Sequence, residues 1–310
     1  MAPTNAATPP AGSSDAPPAD APAWDDRLLR NPHAVADKQR RVKEMFAAIA
    51  PSYDLNNRVH SLWVDQYWRR KAVKLANLKQ TDTVVDVACG TGDLSLAFAR
   101  GLWKFRHFER YGYPVWKPVL LAGSKQEPVQ GTAGKVLGID YTFEMLPIAR
   151  EKAARAPTPP TEAITGKPAD LSNTVRFLNG DAQSLPLPAA SADVVSIAFG
   201  IRNVADPAKA IREFFRVLRP GGRLIVLEFS LPTNPVLRGM YNLYFRKVLP
   251  RTATLISGDK TGAYKYLPES VNTFIGREQM EGMMRAAGFA EVTQHAMTFG
   301  VCVCYRAVKK

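Results

Sequence analysis

The chain has 310 residues, 46% of them hydrophobic and 22% charged, so a globular core is expected over most of its length, as one large α/β domain with additions or at most two small domains. Its formal net charge of +13 suits contact with a polyanion, nucleic acid or an anionic membrane surface, and suits a merely basic soluble enzyme equally well. Three cysteines (Cys89, Cys302 and Cys304) without a repeated spacing or a nearby histidine argue against a disulfide framework and a metal site, and no apolar run reaches the ~18 residues of a membrane-spanning helix.

Residues 1–23 are almost wholly Ala, Pro, Ser, Thr and Asp. They lack the basic start and apolar block of a secretory signal and read as a disordered tail, taken to end near residue 35. Over 37–53, Val42, Met45, Phe46 and Ile49 recur at helical spacing among Lys38, Arg40, Arg41 and Lys43, and Pro51 ends the helix. A second amphipathic segment, 61–77, carries Leu62, Trp63, Tyr67 and Trp68 with Arg69, Arg70, Lys71 and Lys74. The two form a helical cap whose basic faces are either solvated or turned to lipid.

From residue 83 the pattern alternates between strands and helices. Strands are predicted at 83–88, 135–140, 174–180, 192–200 and 223–230, and helices at 94–100, 143–156 and 207–218. RPGG (219–222) reads as the turn before the fifth strand. Such repetition implies a mostly parallel sheet with helices on both faces. Residues 231–275 read as a long non-repeating stretch rich in tyrosine and phenylalanine. A helix follows at 277–287, stopped by Gly288, and two final strands form a hairpin. Two segments are long for connections inside an α/β unit, 101–134 and 157–173, and read as inserted loops. The folded domain is thus expected over 36–310.

The strongest chemical signal is TVVDVACGTGDLSLAFAR (83–100), a buried strand running through Gly90, Thr91 and Gly92 into a helix. Glycines permit the tight turn and the close approach of a ligand. The motif is neither GxGxxG nor a Walker loop, and Asp93 in the first helical turn disfavours a pyrophosphate, so a cationic ligand fits better. Asp140 ends the second strand, where a carboxylate accepts hydrogen bonds from ribose hydroxyls; the bland alternative is a helix cap. Asp181 and Ala182 follow the third strand, placed for an adenine amine and a backbone contact, or for an ordinary turn. Asp86 is read as holding the glycine loop, and His60 as a packing residue.

Several blocks resemble the UbiE/COQ5 family of quinone C-methyltransferases. They are KEMFAAIAPSYDLNNR (43–58), DVACGTGDLSLAFA (86–99), AFGIRNVAD (198–206), FFRVLRPGGRLIVLEFS (214–230) and YKYLPESV (264–271). The likeness spans about 38–308 apart from the two inserted loops; the glycine loop and RPGG are general, whereas GIRN with YKYLPES is narrow. It implies a Rossmann-like class I fold with a seven-stranded, mostly parallel sheet. It also implies S-adenosylmethionine as cofactor, held by Gly90, Thr91, Gly92, Asp140, Asp181, Ala182 and Ala198. The last position is often Ser in the family, so Ala198 contributes backbone only. The implied reaction is C-methylation of a polyprenylated quinol in menaquinone or ubiquinone biosynthesis. Arg202 is the expected stabiliser of the developing phenolate, with a structural pairing to Asp206 or Glu228 as the alternative. Asn203, Tyr53 and Tyr266 are expected at the substrate.

The resemblance further implies a cytoplasmic protein, peripheral to the inner face of a membrane, with no nucleic-acid partner and with a homodimer left open. Two rival readings are methyl transfer to RNA, which the charge permits without any recognisable RNA-binding module, and a non-catalytic scaffold.

Overall fold

The computed structural model describes residues 24–111, 134–156, 171 and 174–310. The expectations for 1–23, 112–133 and nearly all of 157–173 lie outside the described residues.

Seven strands form one sheet: β1 (Thr83–Val87), β2 (Lys135–Asp140), β3 (Val175–Asn179), β4 (Ala192–Ala198), β5 (Leu218–Phe229), β6 (Glu291–Met297) and β7 (Cys302–Val308). Their spatial order is β3-β2-β1-β4-β5-β7-β6. The first five are parallel, and β7 runs antiparallel to both β5 and β6. Val84, Val85 and Val87 are buried, as a strand covered on both faces requires. Winding proceeds outward in both directions from β1 and β4, so the carboxyl ends of these two strands border the crevice where open α/β sheets bind ligands.

On one face of the sheet lie α3 (Val64–Leu75), α4 (Asp93–Tyr111) and α5 (Met145–Ala154), supplying Trp68, Phe98, Leu102 and Leu146 to the core. On the other lie α6 (Pro207–Val217) and α10 (Arg277–Ala286), supplying Ile211, Phe214, Met280 and Met284. A third cluster caps the carboxyl edge of the sheet. It joins α1 (Lys38–Ile49) to α8 (Leu249–Ser257) and α9 (Ala263–Asn272) through Met45, Ile49, Leu249, Ala253 and Tyr266. Pro51 ends α1 as expected, and the chain turns directly into α2 (Tyr53–Ser61).

Four expectations are corrected. The tail does not extend to residue 35: Trp24, 2% exposed, stacks on Tyr266 with ring centroids 4.5 Å apart, and Leu29 and Pro32 are buried. A composition argument cannot see that a distant helix offers these side chains a groove. The inserted segment does not begin at 101, because α4 continues to Tyr111. Gly101, which looks like a helix stop, is there for space: a Cβ would meet Leu78 Cδ1 at 2.8 Å. The stretch 231–275 is largely helical, comprising α7 (Pro235–Leu243), a π turn (Tyr244–Val248), α8 and α9. Finally, RPGG is a bulge rather than a turn. β5 already pairs at Leu218 with Ala192, and the register resumes at Arg223 with Val194.

Candidate functional site

β1 and β2 deliver the central carboxylate and the loop it holds. Asp140 Oδ2 accepts the Gly90 amide at 2.7 Å, and Oδ1 accepts the Thr142 amide at the same distance. Each oxygen keeps lone pairs for a ligand hydroxyl. Burial raises the Asp140 pKa to about 6, against the lowering effect of those two amides. Gly90 has φ +53°, and nothing lies within 4 Å of where a Cβ would be, because its Cα faces the cavity. Gly92 has φ +83° and a different duty. A Cβ there would stand 3.0 Å from the Phe177 ring and 3.2 Å from Ala149, so the missing side chain lets α4 sit down on the sheet. Gly92, expected at the cofactor, has this packing role and does not line the main cavity. Ala88 (φ +51°) and Phe199 (φ +56°) hold left-handed backbone at the ends of β1 and β4, a strain typical of built sites.

The cavity above this edge spans about 760 Å3, open in part to solvent. Asp140, Asp181, Ala182, Ala198 and Gly90 all line it, as the sequence predicts, together with Asn203 and Tyr53. Asp181 accepts from Gln39 Nε2 at 3.0 Å and from the Gln183 amide at 2.9 Å, which fixes its orientation. The wall also includes Gln39, Lys43 and Tyr141, none of them anticipated, with the Lys43 ammonium 5.6 Å from the centre of the Tyr141 ring. The arrangement offers a carboxylate for paired hydroxyls at one end and a cleft between apolar walls for a flat ring.

Thr91, expected at the cofactor, does not line this cavity. Its hydroxyl donates to Asp54 at 2.6 Å and accepts from Lys152 at 3.1 Å, and it borders a smaller cavity beside the loop. Asp93 is likewise engaged, with Lys152 at 2.7 Å and Arg58 at 3.3 Å. Burial works against its ionisation, but the Arg69 and Lys152 charges prevail and hold its pKa below the ordinary carboxylate value. The Asp93 charge is therefore matched within the protein. Asp86 takes bonds from Ser95 at 2.6 Å and Ser196 at 2.7 Å, tying the helix after the loop to β4 rather than holding the loop itself.

A second cavity of about 670 Å3 adjoins the first, with Phe46, Tyr53 and Phe199 common to both. Arg202 and Tyr266 line it, along with Trp68, Phe229 and Tyr264. Tyr266 donates to Asn203 Oδ1 at 2.9 Å, so the expected substrate residues Asn203, Tyr53 and Tyr266 do converge. Burial lifts the Tyr53 hydroxyl above its ordinary pKa, so it is a neutral donor at physiological pH.

Arg202 reaches this cavity with its charge already matched. Its guanidinium donates to Glu228 at 2.7 Å, to the Phe199 carbonyl at 2.7 Å and to Ser270 at 3.3 Å. It holds the turn Ile201–Asn203 in place through the Glu228 pairing that the sequence left as the alternative, while it lines the cavity where its expected role at the phenolate would lie. Lys38, expected on a solvated face, is buried and donates to the carbonyls of Arg202 at 2.8 Å and Val204 at 2.7 Å. Burial, helped by the Arg202 charge, lowers its pKa to about 8.

Lys38 had a signal, and so did Arg69 of the second basic segment, which is buried as well. Lys38, Val42, Met45 and Ile49 fall on one stripe of α1, and Asp65, Trp68, Arg69 and Ala72 on one stripe of α3, and all eight are buried. His60 bonds the Asn56 carbonyl and Thr252 and borders neither large cavity, as a packing residue should.

A model of the ubiE/COQ5 methyltransferase family matches residues 34–309. A demethylmenaquinone methyltransferase of Deinococcus radiodurans is 41% identical over 265 residues, covering 86% of this chain and 91% of that protein. Its namesake in Thermus thermophilus is 40% identical, covering 84% and 98%. The ubiquinone/menaquinone biosynthesis C-methyltransferase UbiE of Geobacter sp. strain M21 is 35% identical, covering 89% and 100%. Among solved structures, a SAM-dependent methyltransferase of Thermotoga maritima aligns with a TM-score of 0.51 at 21% identity, over 87% of this chain and 100% of that one, which supports the fold alone.

Proposed function

The chain belongs to the ubiE/COQ5 methyltransferase family, and from that premise we propose that it methylates a ring carbon of a polyprenylated quinol with S-adenosylmethionine, in menaquinone or ubiquinone biosynthesis. The observation that carries the reading is the pair of joined cavities. One is built around a carboxylate at the tip of β2, and the other is walled by aromatic rings.

The donor set suits the cofactor. Asp140 has two oriented oxygens for ribose hydroxyls, Asp181 an oriented carboxylate for an exocyclic amine, and Ala182 an apolar floor for a purine. Gly90 and Ala198 bring bare backbone to the ligand. Bound there, the cofactor supplies an electrophilic methyl group. The protein's own work is placement. Phe46, Tyr53 and Phe199, shared by both cavities, set where an acceptor ring meets the methyl-bearing end. The Tyr266–Asn203 hydrogen bond fixes the amide that faces the first cavity.

The same reading puts the protein on an anionic membrane surface. Among the described residues no helix is long and apolar enough to cross a membrane. Val236, Met240 and Leu243 recur at i, i+4 and i+7 along α7 and are exposed, as are Leu255 on α8 and Leu62 and Trp63 between α2 and α3. Arg238, Lys247 and Arg251 stand exposed among them. His60 Nε2 meets Thr252 at 2.8 Å, so α2 and α8 are neighbours. Exposed apolar side chains on helices that also carry exposed cations suit an anionic lipid interface.

The deciding experiment is transfer of a labelled methyl group to reduced demethylmenaquinone or a benzoquinol analogue in detergent, with the lipid fraction weighed by mass spectrometry. A mass gain in one quinone supports the reading and names the branch; none in any, with cofactor binding intact, removes it. Co-sedimentation with phosphatidylglycerol vesicles tests the surface: failure to bind at low salt removes that part.

A further inference from the structure

Resting on the quinol reading above, we propose that Arg69 is the cation that binds the ionised ring oxygen of the acceptor. Two arginines border the aromatic cavity, Arg69 and Arg202. Arg202 already donates through Nε and Nη1 to a hydroxyl, a carbonyl and the Glu228 carboxylate. Arg69 is equally hidden, with 8% of its surface exposed, yet its Nε is buried without a hydrogen-bond partner. Its nearest carboxylate is Asp65, at 3.6 Å from Nε, which attracts the charge without closing a hydrogen bond. Asp65 is itself occupied by the Ser61 hydroxyl and the Gln66 amide, each at 2.9 Å.

A buried guanidinium with unspent donors is costly, and such a group at a cavity wall is poised for an anion. The shape of the surroundings says which anion. The guanidinium lies 5.3 Å from the centre of the Phe199 ring, and Phe46, Trp68, Phe229 and Tyr266 complete the walls. The mostly aromatic walls take a flat ring, with Asp65, Asn57 and Ser61 as polar lining, and an oxygen on that ring brings the negative charge. Arg69 also borders the small cavity beside the glycine loop, which shares Gly90 and Ala198 with the first cavity. There it favours the phenolate over the phenol, and the hydroxyl proton leaves to solvent. The field of Arg69 is already visible in its neighbours, since it counts among the charges that favour the ionised forms of Asp93 and Tyr53.

The test compares Arg69→Met and Arg69→Lys with the parent enzyme. Three quantities are read: S-adenosylhomocysteine affinity by calorimetry, kcat against pH with a demethylmenaquinol analogue, and the apparent pKa of bound 1-naphthol by absorbance. The methionine variant is expected to lose roughly 100- to 1000-fold in kcat, the range for removing one donor to a developing oxyanion. The alkaline rise of its profile should move up by about one pH unit or more, as for loss of a neighbouring opposite charge. Cofactor-product affinity should hold within about threefold, and the naphthol pKa, lowered on the parent protein, should return toward its free value. Lysine should retain the lowered naphthol pKa and part of the rate.

A tenfold loss of S-adenosylhomocysteine affinity with kcat intact would assign Arg69 to the cofactor's carboxylate and overturn the proposal. Unchanged values in all three would make it structural and overturn it equally. If the methionine variant does not fold, the lysine variant decides: an upward shift of its naphthol pKa to the free value refutes the oxyanion role. A protein that methylates no quinol but lowers the naphthol pKa through Arg69 would lose the proposed reaction and keep the anion site.

Discussion

Replacing Glu228 by Gln isolates the Arg202 ion pair. The two side chains are almost wholly buried and meet at 2.7 Å. Charge centres about 4 Å apart attract by about 4 kcal/mol at an effective dielectric near 20. Glutamine keeps one oxygen for the Arg202 guanidinium and the Phe229 amide, which Oε1 now accepts at 2.7 and 2.8 Å. Its amide nitrogen then faces the Arg202 backbone N–H, donor against donor, where Oε2 had accepted at 3.3 Å. Breaking one partner of a buried pair costs about 3–5 kcal/mol, because the other charge stays behind without compensation. At roughly 2 °C per kcal/mol for a large domain, the melting temperature should fall by about 6–10 °C. Differential scanning calorimetry measures this directly. Arg202→Met on top of Glu228→Gln removes the stranded charge and should recover at least about 2 kcal/mol in a double-mutant cycle. A single-variant melting temperature within 2 °C of the parent (about 1 kcal/mol) would refute the reasoning.

Three further outcomes are expected. Asp140, with its pKa near 6, must be ionised to accept ribose hydroxyls, so S-adenosylhomocysteine affinity should hold above pH 6 and fall up to about tenfold per unit below it. Calorimetry from pH 7.5 to pH 5 checks this, and the pH dependence should vanish in Asp140→Asn, which should also bind about 10- to 100-fold more weakly. Gly92→Ala should cost about 1–3 kcal/mol, since the added methyl meets Phe177 and Ala149 at a residue with φ +83°; urea unfolding that matches the parent would contradict the packing role. Trp24→Ala should cost about 3–5 kcal/mol, and a change below about 0.5 kcal/mol would mean that residues 24–35 do not brace α9.

The alternation of apolar strands and amphipathic helices was readable because each period is local. The five parallel strands, the glycine turn and the acid at residue 140 follow the pattern's order, with β5 starting earlier than predicted, and β2 matches its predicted span, Lys135–Asp140. Asp140, Asp181, Ala182 and Ala198 line one cavity because strand order alone brings the carboxyl ends of β1 to β4 together. Elements that fail the local test were missed. The local signal of α7, Val236, Met240 and Leu243 at helical spacing, lies on an exposed face, and the buried residue of that helix is Tyr241. Trp24 and Leu29 look like the end of a tail until α9 supplies the other half of their contact.

Charge shows the boundary most sharply. The sequence by itself determined the fold class, the ligand edge of the sheet and the identity of the cavity-lining acids, since those follow from periodicity and from turn residues at fixed offsets. It did not determine which cations are free. Arg69 and Arg202 are both arginines among aromatic neighbours. Only the tertiary structure sets Glu228, 26 residues beyond Arg202, at hydrogen-bond distance from one. The same packing leaves the Nε of the other without a partner. The reason is physical. A buried charge is defined by what surrounds it in space, and those partners come from strands and helices that the chain brings together only by folding.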